Sequence, residues 1–212
     1  MDTSNFVVLN RYPYPMQTIT ISRQLGSLGE EVAEKVAQRL GYQVVCRELI
    51  NQAAIQCGAP ELALAWIDDL GILDIQPSPK DRRAFLSAVQ EAMEELAERG
   101  NVIIVGRAGQ IILGKRPDVL HVKVIAPASL RADRIARMHN VPITAAMAQV
   151  KASDRTRKDY LRRHYHARWD DPDLYDLILN TARLDANQGA CLICRAVEQC
   201  QQTTSLHAAR IG

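Results

Sequence analysis

Two β-branched apolar runs, NVIIVG at Asn101–Gly106 and VLHVKVIA at Val119–Ala126, each lead directly into a helical pattern. A strand that is apolar on both sides needs cover on both sides, which is the condition of a parallel sheet with helices above and below it. Three further stretches fit the same rhythm: MQTITIS from Met16, YQVVC at Tyr42–Cys46 and LYDLILNT at Leu174–Thr181. Helical patterns fill the intervals. Val32, Val36, Ala37 and Leu40 share one face of Glu30–Leu40, which Gly41 ends. Arg47–Cys57, a short piece at Pro60–Leu70, Asp81–Glu98 and the closing NQGACLICRAVEQC follow. Alternation with right-handed crossovers predicts a three-layer α/β/α fold on a parallel sheet of about five strands.

Each proline in YPYP, Tyr12–Pro15, locks its own backbone and disfavours helix before it, so residues 1–15 are expected as an extended arm and 16–212 as one α/β domain. The arm can pack on its own domain or on a neighbouring copy in a homo-oligomer. Thr144–Arg168 is polar and helical, and is expected as an insert above the sheet, a lid spanning roughly 144–170.

In a chain of 212 residues, 47% hydrophobic and 24% charged, a sizeable core and an ordinary globular composition are expected. The net charge of +2 gives no global reason for a nucleic-acid polymer or a membrane as partner. No window approaches the roughly eighteen apolar residues of a membrane span, and five scattered cysteines suit a reducing compartment, so a cytoplasmic location is expected. Cys191 and Cys194 make a C-x-x-C, but Ala190, Ile193, Cys194 and Val197 recur at helical spacing, which reads as packing. His164 and His166 lack the i, i+4 spacing of a helical metal pair, and no metal site is expected.

Ligands of doubly wound sheets bind beyond the carboxyl ends of the strands. There the first strand runs into Ser22-Arg23-Gln24-Leu25-Gly26-Ser27-Leu28-Gly29 and then a helix, a turn whose glycines admit close backbone approach and whose free N–H groups favour an anion. A plain strand-to-helix turn, with Glu30 and Glu31 facing the helix dipole, is the competing reading. Arg107 follows the NVIIVG run, at the same sheet edge, and arginine suits a bidentate grip on phosphate. Lys151, Arg155, Arg157, Lys158, Arg162, Arg163 and Arg168 then crowd one stretch opposed by Asp154 and Asp159. Such density is either a solvated face or a cationic lid over phosphates; phosphoryl transfer needs positioning and positive charge.

Read in order, ISRQLGSLG, VAEKVAQRLG, VIIVGRAGQIIL, DVLHVKVIAP with Arg131 and Arg134 beyond it, Asp154-x-x-Arg157-x-x-Tyr160, and WDDPDLYDLILNT resemble the cytidylate kinase-like family, relatives of the nucleoside monophosphate kinases with a P-loop fold. The resemblance covers about Met16 to Val197. It implies that Gly26, Ser27 and Gly29 hold ATP phosphates, Arg107 the monophosphate, and Arg155 and Arg157 the transferring phosphoryl group, with Asp154 pairing an arginine. ATP and Mg2+ are the implied cofactors. The chain departs from the family where the loop lysine falls at Gly29 and the magnesium-binding Ser/Thr at Glu30; Leu28 stands for a glycine and Cys46 for an Asp. A carboxylate about 4 Å from phosphate costs on the order of 1–4 kcal/mol. Arg23, at the end of the first strand, is positioned to supply the missing charge, which makes it a catalytic candidate with Arg155 and Arg157. Two readings follow: an ATP-dependent kinase of a CMP-like nucleoside monophosphate, or a nucleotide or phosphometabolite sensor on the same scaffold.

Overall fold

The computed structural model describes residues 17–56 and 78–211. YPYP, Cys57 and the short helix expected at Pro60–Leu70 lie outside the described residues.

Five strands form one parallel sheet: β1 Thr18–Arg23, β2 Gln43–Val45, β3 Val102–Val105, β4 Val119–Ile125 and β5 Leu177–Asn180, in the spatial order β2-β3-β1-β4-β5. β1 is central because its Thr18–Arg23 run pairs on one side with β3 and on the other with β4. From β1 the chain runs to the edge strand β2, returns to place β3 beside β1 and then crosses to β4, so the carboxyl ends of β1 and β3 lie at the switch in strand order where such sheets bind ligands. β1 continues through Arg23, farther than the apolar run suggested, because Arg23 still pairs with Val124. β5 starts later than expected, since Pro172–Leu174 forms a 3-10 turn ahead of it.

Alternation sorts the strand side chains between two cores. Ile19, Ile21, Ile103, Val105, Leu120, Val122 and Val124 pack against α1 (Gly29–Leu40) and α7 (Ala186–Ile211) through Val32, Val36, Ala190, Ile193 and Val197. Each fully buried Val or Ile contributes about 1.5–3 kcal/mol. On the other face, Val102, Ile104 and Val119 meet Phe85, Val89 and Met93 of α3 (Pro79–Arg99). α2 (Arg47–Gln56) adds Ile50 to this core, and α4 (Gly109–Ile112) is a single turn after β3. Cys194 is buried in the first core while Cys191 of the same helix is exposed, and among the described residues the cysteines are free thiols.

α5 (Ala128–His139) and α6 (Ile143–Tyr165) form a hairpin joined by Ala132, Ile135, Ala146 and Val150. α6 is the polar insert read from the sequence. Its few apolar residues recur at helical spacing, enough to dock one stripe, and Leu161 completes that stripe against Ala108 and Trp169. Among the described residues no helix is long and apolar enough to cross a membrane.

Candidate functional site

β1 ends where its polar side chains begin to matter. Ser22 is buried, and the side chain of Arg23 crosses directly over Gly29: a Cβ added there would lie 2.3 Å from Arg23 Cβ. Arg23 then extends between two loops. Its Nε donates to Glu30 Oε1 at 2.8 Å, while its Nη1 lies 2.8 Å from the position a Cβ would take on Gly106. Glu30, one residue into α1, thus holds the cation that stands between the first loop and the end of β3.

The first loop is fastened from below. Gly26 has φ +77, and its Cα faces the backbone carbonyl of Arg131, 2.7 Å from where a methyl would sit. Its own carbonyl accepts from Arg134 at 3.1 Å, and that of Ser27 accepts from Thr181 Oγ1 at 2.9 Å. The Ser27 side chain is fully buried, with its hydroxyl donating to the Gln24 carbonyl at 2.8 Å. Leu28 takes the left-handed conformation, φ 64, ahead of α1, and no side chain caps the helix. The first-turn N–H groups of α1 therefore have no intrahelical acceptor and no capping oxygen, an arrangement suited to anionic oxygens.

Beyond β3 the backbone takes positive φ at three successive residues, Gly106 (88), Arg107 (52) and Ala108 (58). Two of these are not glycine, so the turn is held by its surroundings at a cost of order 1 kcal/mol or more per residue. It carries Arg107 into the interior at 8% exposure, with its guanidinium 5.9 Å from the Phe85 ring centroid.

α6 supplies the third side. Arg157, Tyr160 and Leu161 face one pocket together with Ser22, Arg23, Gly106, Arg107, Gln110 and Trp169. Arg157 also donates to Ser153 Oγ one turn earlier. Arg155, two residues before Arg157 and so turned about 200° around the helix, is exposed and does not line this pocket. Asp154 takes both terminal nitrogens of Arg131, at 3.1 and 2.8 Å, which ties α6 to α5 and to the first loop. Of the expected residues, the fold brings Arg23, Arg107 and Arg157 together. It leaves Gly26, Ser27 and Gly29 in the adjoining loop, Asp154 behind it and Arg155 outside. The pocket measures about 50 Å3.

The electrostatics follow the crowding. Burial lowers the pKa of His164, and Arg82, Arg163 and Arg107 depress it further. Burial lifts the Tyr165 hydroxyl far above the ordinary phenol range. Beneath the pocket lies a polar layer absent from the expected site. Trp169 Nε1 donates to Ser22 Oγ at 2.9 Å, Tyr175 donates its hydroxyl hydrogen to the Trp169 carbonyl at 2.9 Å, and Gln110 reaches the Tyr175 oxygen at 3.3 Å. Lys123, 5% exposed, donates to the same Trp169 carbonyl. A lysine and a histidine, Lys123 and His121, within a largely apolar strand are the signal in the sequence for this layer; Arg131 and Arg134 show in the sequence only as the R-x-x-R after DVLHVKVIAP.

The uncapped amides of α1 with Arg23 fit polyphosphate oxygens. Among the described residues no three His, Cys, Asp or Glu side chains come together as a metal site.

The chain is similar to cytidylate kinases of several archaea. It is 25% identical to that of Methanocella arvoryzae over 85% of this chain and 97% of the relative. It is 29% identical to that of Halobacterium salinarum over 86% and 90%. In three dimensions it resembles an uncharacterized protein from Eubacterium ventriosum, with a TM-score of 0.69 at 21% identity over 85% of this chain and 98% of that one. It also resembles a gluconokinase from Sinorhizobium meliloti, with a TM-score of 0.54 at 15% identity over 87% and 95%. The fold is that of the P-loop kinases, and the homology is to nucleotide-binding proteins of the kinase type. Since the sequence profile of the cytidylate kinase-like family matches residues 18–183, most of the chain's length, this protein belongs to that family.

Proposed function

We propose that this protein transfers a phosphoryl group from ATP to a nucleoside monophosphate, with CMP as the first candidate. One observation carries the reading: arginines from β1, from the turn after β3 and from α6 line a single pocket beside the uncapped start of α1. Phosphoryl transfer is catalysed mainly by positioning and by positive charge around the migrating group, and those are the parts present. The first loop, Gly26–Gly29, takes the donor phosphates; Arg107 takes the acceptor phosphate; Arg23 and Arg157 stand on either side of the group in transit. Asp154 keeps α6 in place through Arg131. Mg2+, bound to ATP, would supply further charge neutralisation.

In this reading α6 acts as the lid, lifting to admit substrate and closing again to exclude water. Arg155 reaches the phosphates only if that motion turns it inward. Residues 16–212 act as one domain in this reading, and the reaction belongs in the cytoplasm, with its ATP.

A second reading is a sensor that binds nucleotide without efficient turnover. It is favoured by the Arg23–Glu30 pair at 2.8 Å, which places a carboxylate where the family's hydroxyl is expected. ATP-dependent formation of CDP, measured beside the thermal midpoint with CMP, ATP and magnesium singly and together, separates the two. CDP formation identifies the enzyme; a raised midpoint with no CDP identifies the sensor; neither response defeats both.

A further inference from the structure

One buried charge has no place in the arginine constellation. Lys123 lies within β4, directly across from Ser22 in the sheet register, on the face that also carries Thr20 and His121. Its ammonium lies 4.6 Å from the centroid of the Trp169 ring and 4.9 Å from that of Tyr175. It donates to the carbonyl of Trp169, which also accepts from the Tyr175 hydroxyl. Trp169 in turn donates to Ser22, so Ser22, Lys123 and Trp169 close a ring of contacts, and the indole of that ring is a wall of the phosphate pocket.

Taking an ammonium out of water is costly, and an apolar side chain of similar volume often serves stability as well or better. Here a carbonyl and two ring faces offset part of that cost. Asp170, beyond α6, and Asp154 of α6 support its charge, while Lys158 of α6 opposes it. A charge kept in such a position acts on what it touches. What it touches is Trp169, four residues beyond the end of α6.

We propose that Lys123 is a positioning residue of the pocket: its ammonium holds the Trp169 carbonyl, and through it the indole wall and the trailing end of α6, in the closed arrangement that sets Arg157 opposite Arg23 and Arg107. The inference rests on the pocket's reading as a phosphate site. A charge-assisted hydrogen bond is roughly twice as strong as a neutral one, and cation–π attraction needs the ammonium. Loss of the proton therefore loosens the wall. Burial lowers the pKa of Lys123 to about 8, so this loosening falls within an accessible range, while Tyr175, raised to about 12, stays neutral across it.

The chain has two tryptophans, so Trp66→Phe leaves Trp169 as the sole reporter. In that protein Trp169 fluorescence should titrate with a midpoint near pH 8, and CMP affinity, read from the same signal without ATP so that no turnover occurs, should fall as pH rises through it. Adding Lys123→Met should abolish the titration and weaken CMP roughly tenfold or more at neutral pH. A purely structural lysine would lower the thermal midpoint without any pH-dependent change in affinity. Fluorescence that does not titrate near pH 8 in the Trp66→Phe protein overturns the proposal, even if the double variant does not fold. So does unchanged CMP affinity in the double variant. Titration of Trp169 with no CMP binding at any pH supports the Lys123 clamp and overturns the phosphate-site reading instead.

Discussion

Arg131 of α5, 3% exposed, grips both carboxylate oxygens of Asp154 of α6, and its own backbone carbonyl packs against Gly26 of the first loop. One arginine thus couples the helix that carries Arg157 to the loop that starts α1, with further bonds to the carbonyls of Ala126 and Leu25. α6 and the first loop share a fulcrum.

Removing one member of a buried ion pair leaves the other uncompensated. Asp154→Ala is expected to cost about 2–4 kcal/mol, the lower end reflecting the 23% exposure of its side chain. Urea unfolding should show a reduced midpoint with an unchanged slope. A cost under about 0.5 kcal/mol would mean that Arg131 finds other partners.

In the proposed phosphate site, Glu30 would compete with incoming phosphate for Arg23. Because the Glu30 side chain is more than half exposed, Glu30→Gln should change stability by less than about 1 kcal/mol. It should tighten ATP about tenfold, through release of Arg23 and removal of one negative charge. Arg23→Ala should weaken ATP instead. Calorimetric titration checks both, and equal affinities in all three proteins would remove Arg23 from the site.

Gly26 and Gly41 share a left-handed backbone but differ in surroundings. Nothing lies within 4 Å of a Cβ on Gly41, so Gly41→Ala should cost only the conformational term, about 1–2 kcal/mol. A methyl on Gly26 meets the Arg131 carbonyl at 2.7 Å, so Gly26→Ala should cost more, about 3 kcal/mol or above, and should weaken ATP binding as well. Thermal unfolding of the pair gives the comparison.

Alkaline stability should show opposing contributions from Lys123 and Tyr175. The folded chain releases the Lys123 proton near pH 8 and the unfolded chain near 10.5, so the cost of burying the charge is full below 8 and is relieved between the two. This group therefore adds stability as pH rises through that window, on the order of 3 kcal/mol in all. Tyr175 is held neutral to about 12, whereas the unfolded phenol ionises from 10, so its contribution is lost between those values. Lys123→Met should flatten the rise and Tyr175→Phe the fall, as read from unfolding free energies between neutral pH and pH 11.

Much of the scaffold was legible because its signals are local. Ile103 and Ile104 are apolar neighbours that must both be buried, which demands a strand covered on two sides, and Val32, Val36 and Ala37 recur at the period of a helix. The loop glycines, Arg107 and the basic insert were legible for the same reason: residue type and position after a strand mark the ligand edge of such a sheet.

What the chain alone could not decide is which distant groups meet. Arg155 and Arg157 are equivalent as letters, yet the helical turn between them sends one to solvent and the other into the pocket. Arg23 and Glu30 become partners because the strand-to-helix turn folds back over Gly29, and Lys123 becomes a clamp because β4 lies beside Ser22 of β1 and beneath Trp169. The order of strands and helices follows from periodicity, which a sequence carries in full. Contacts between side chains far apart in the chain follow from crossover geometry and packing, which exist only once the sheet has assembled.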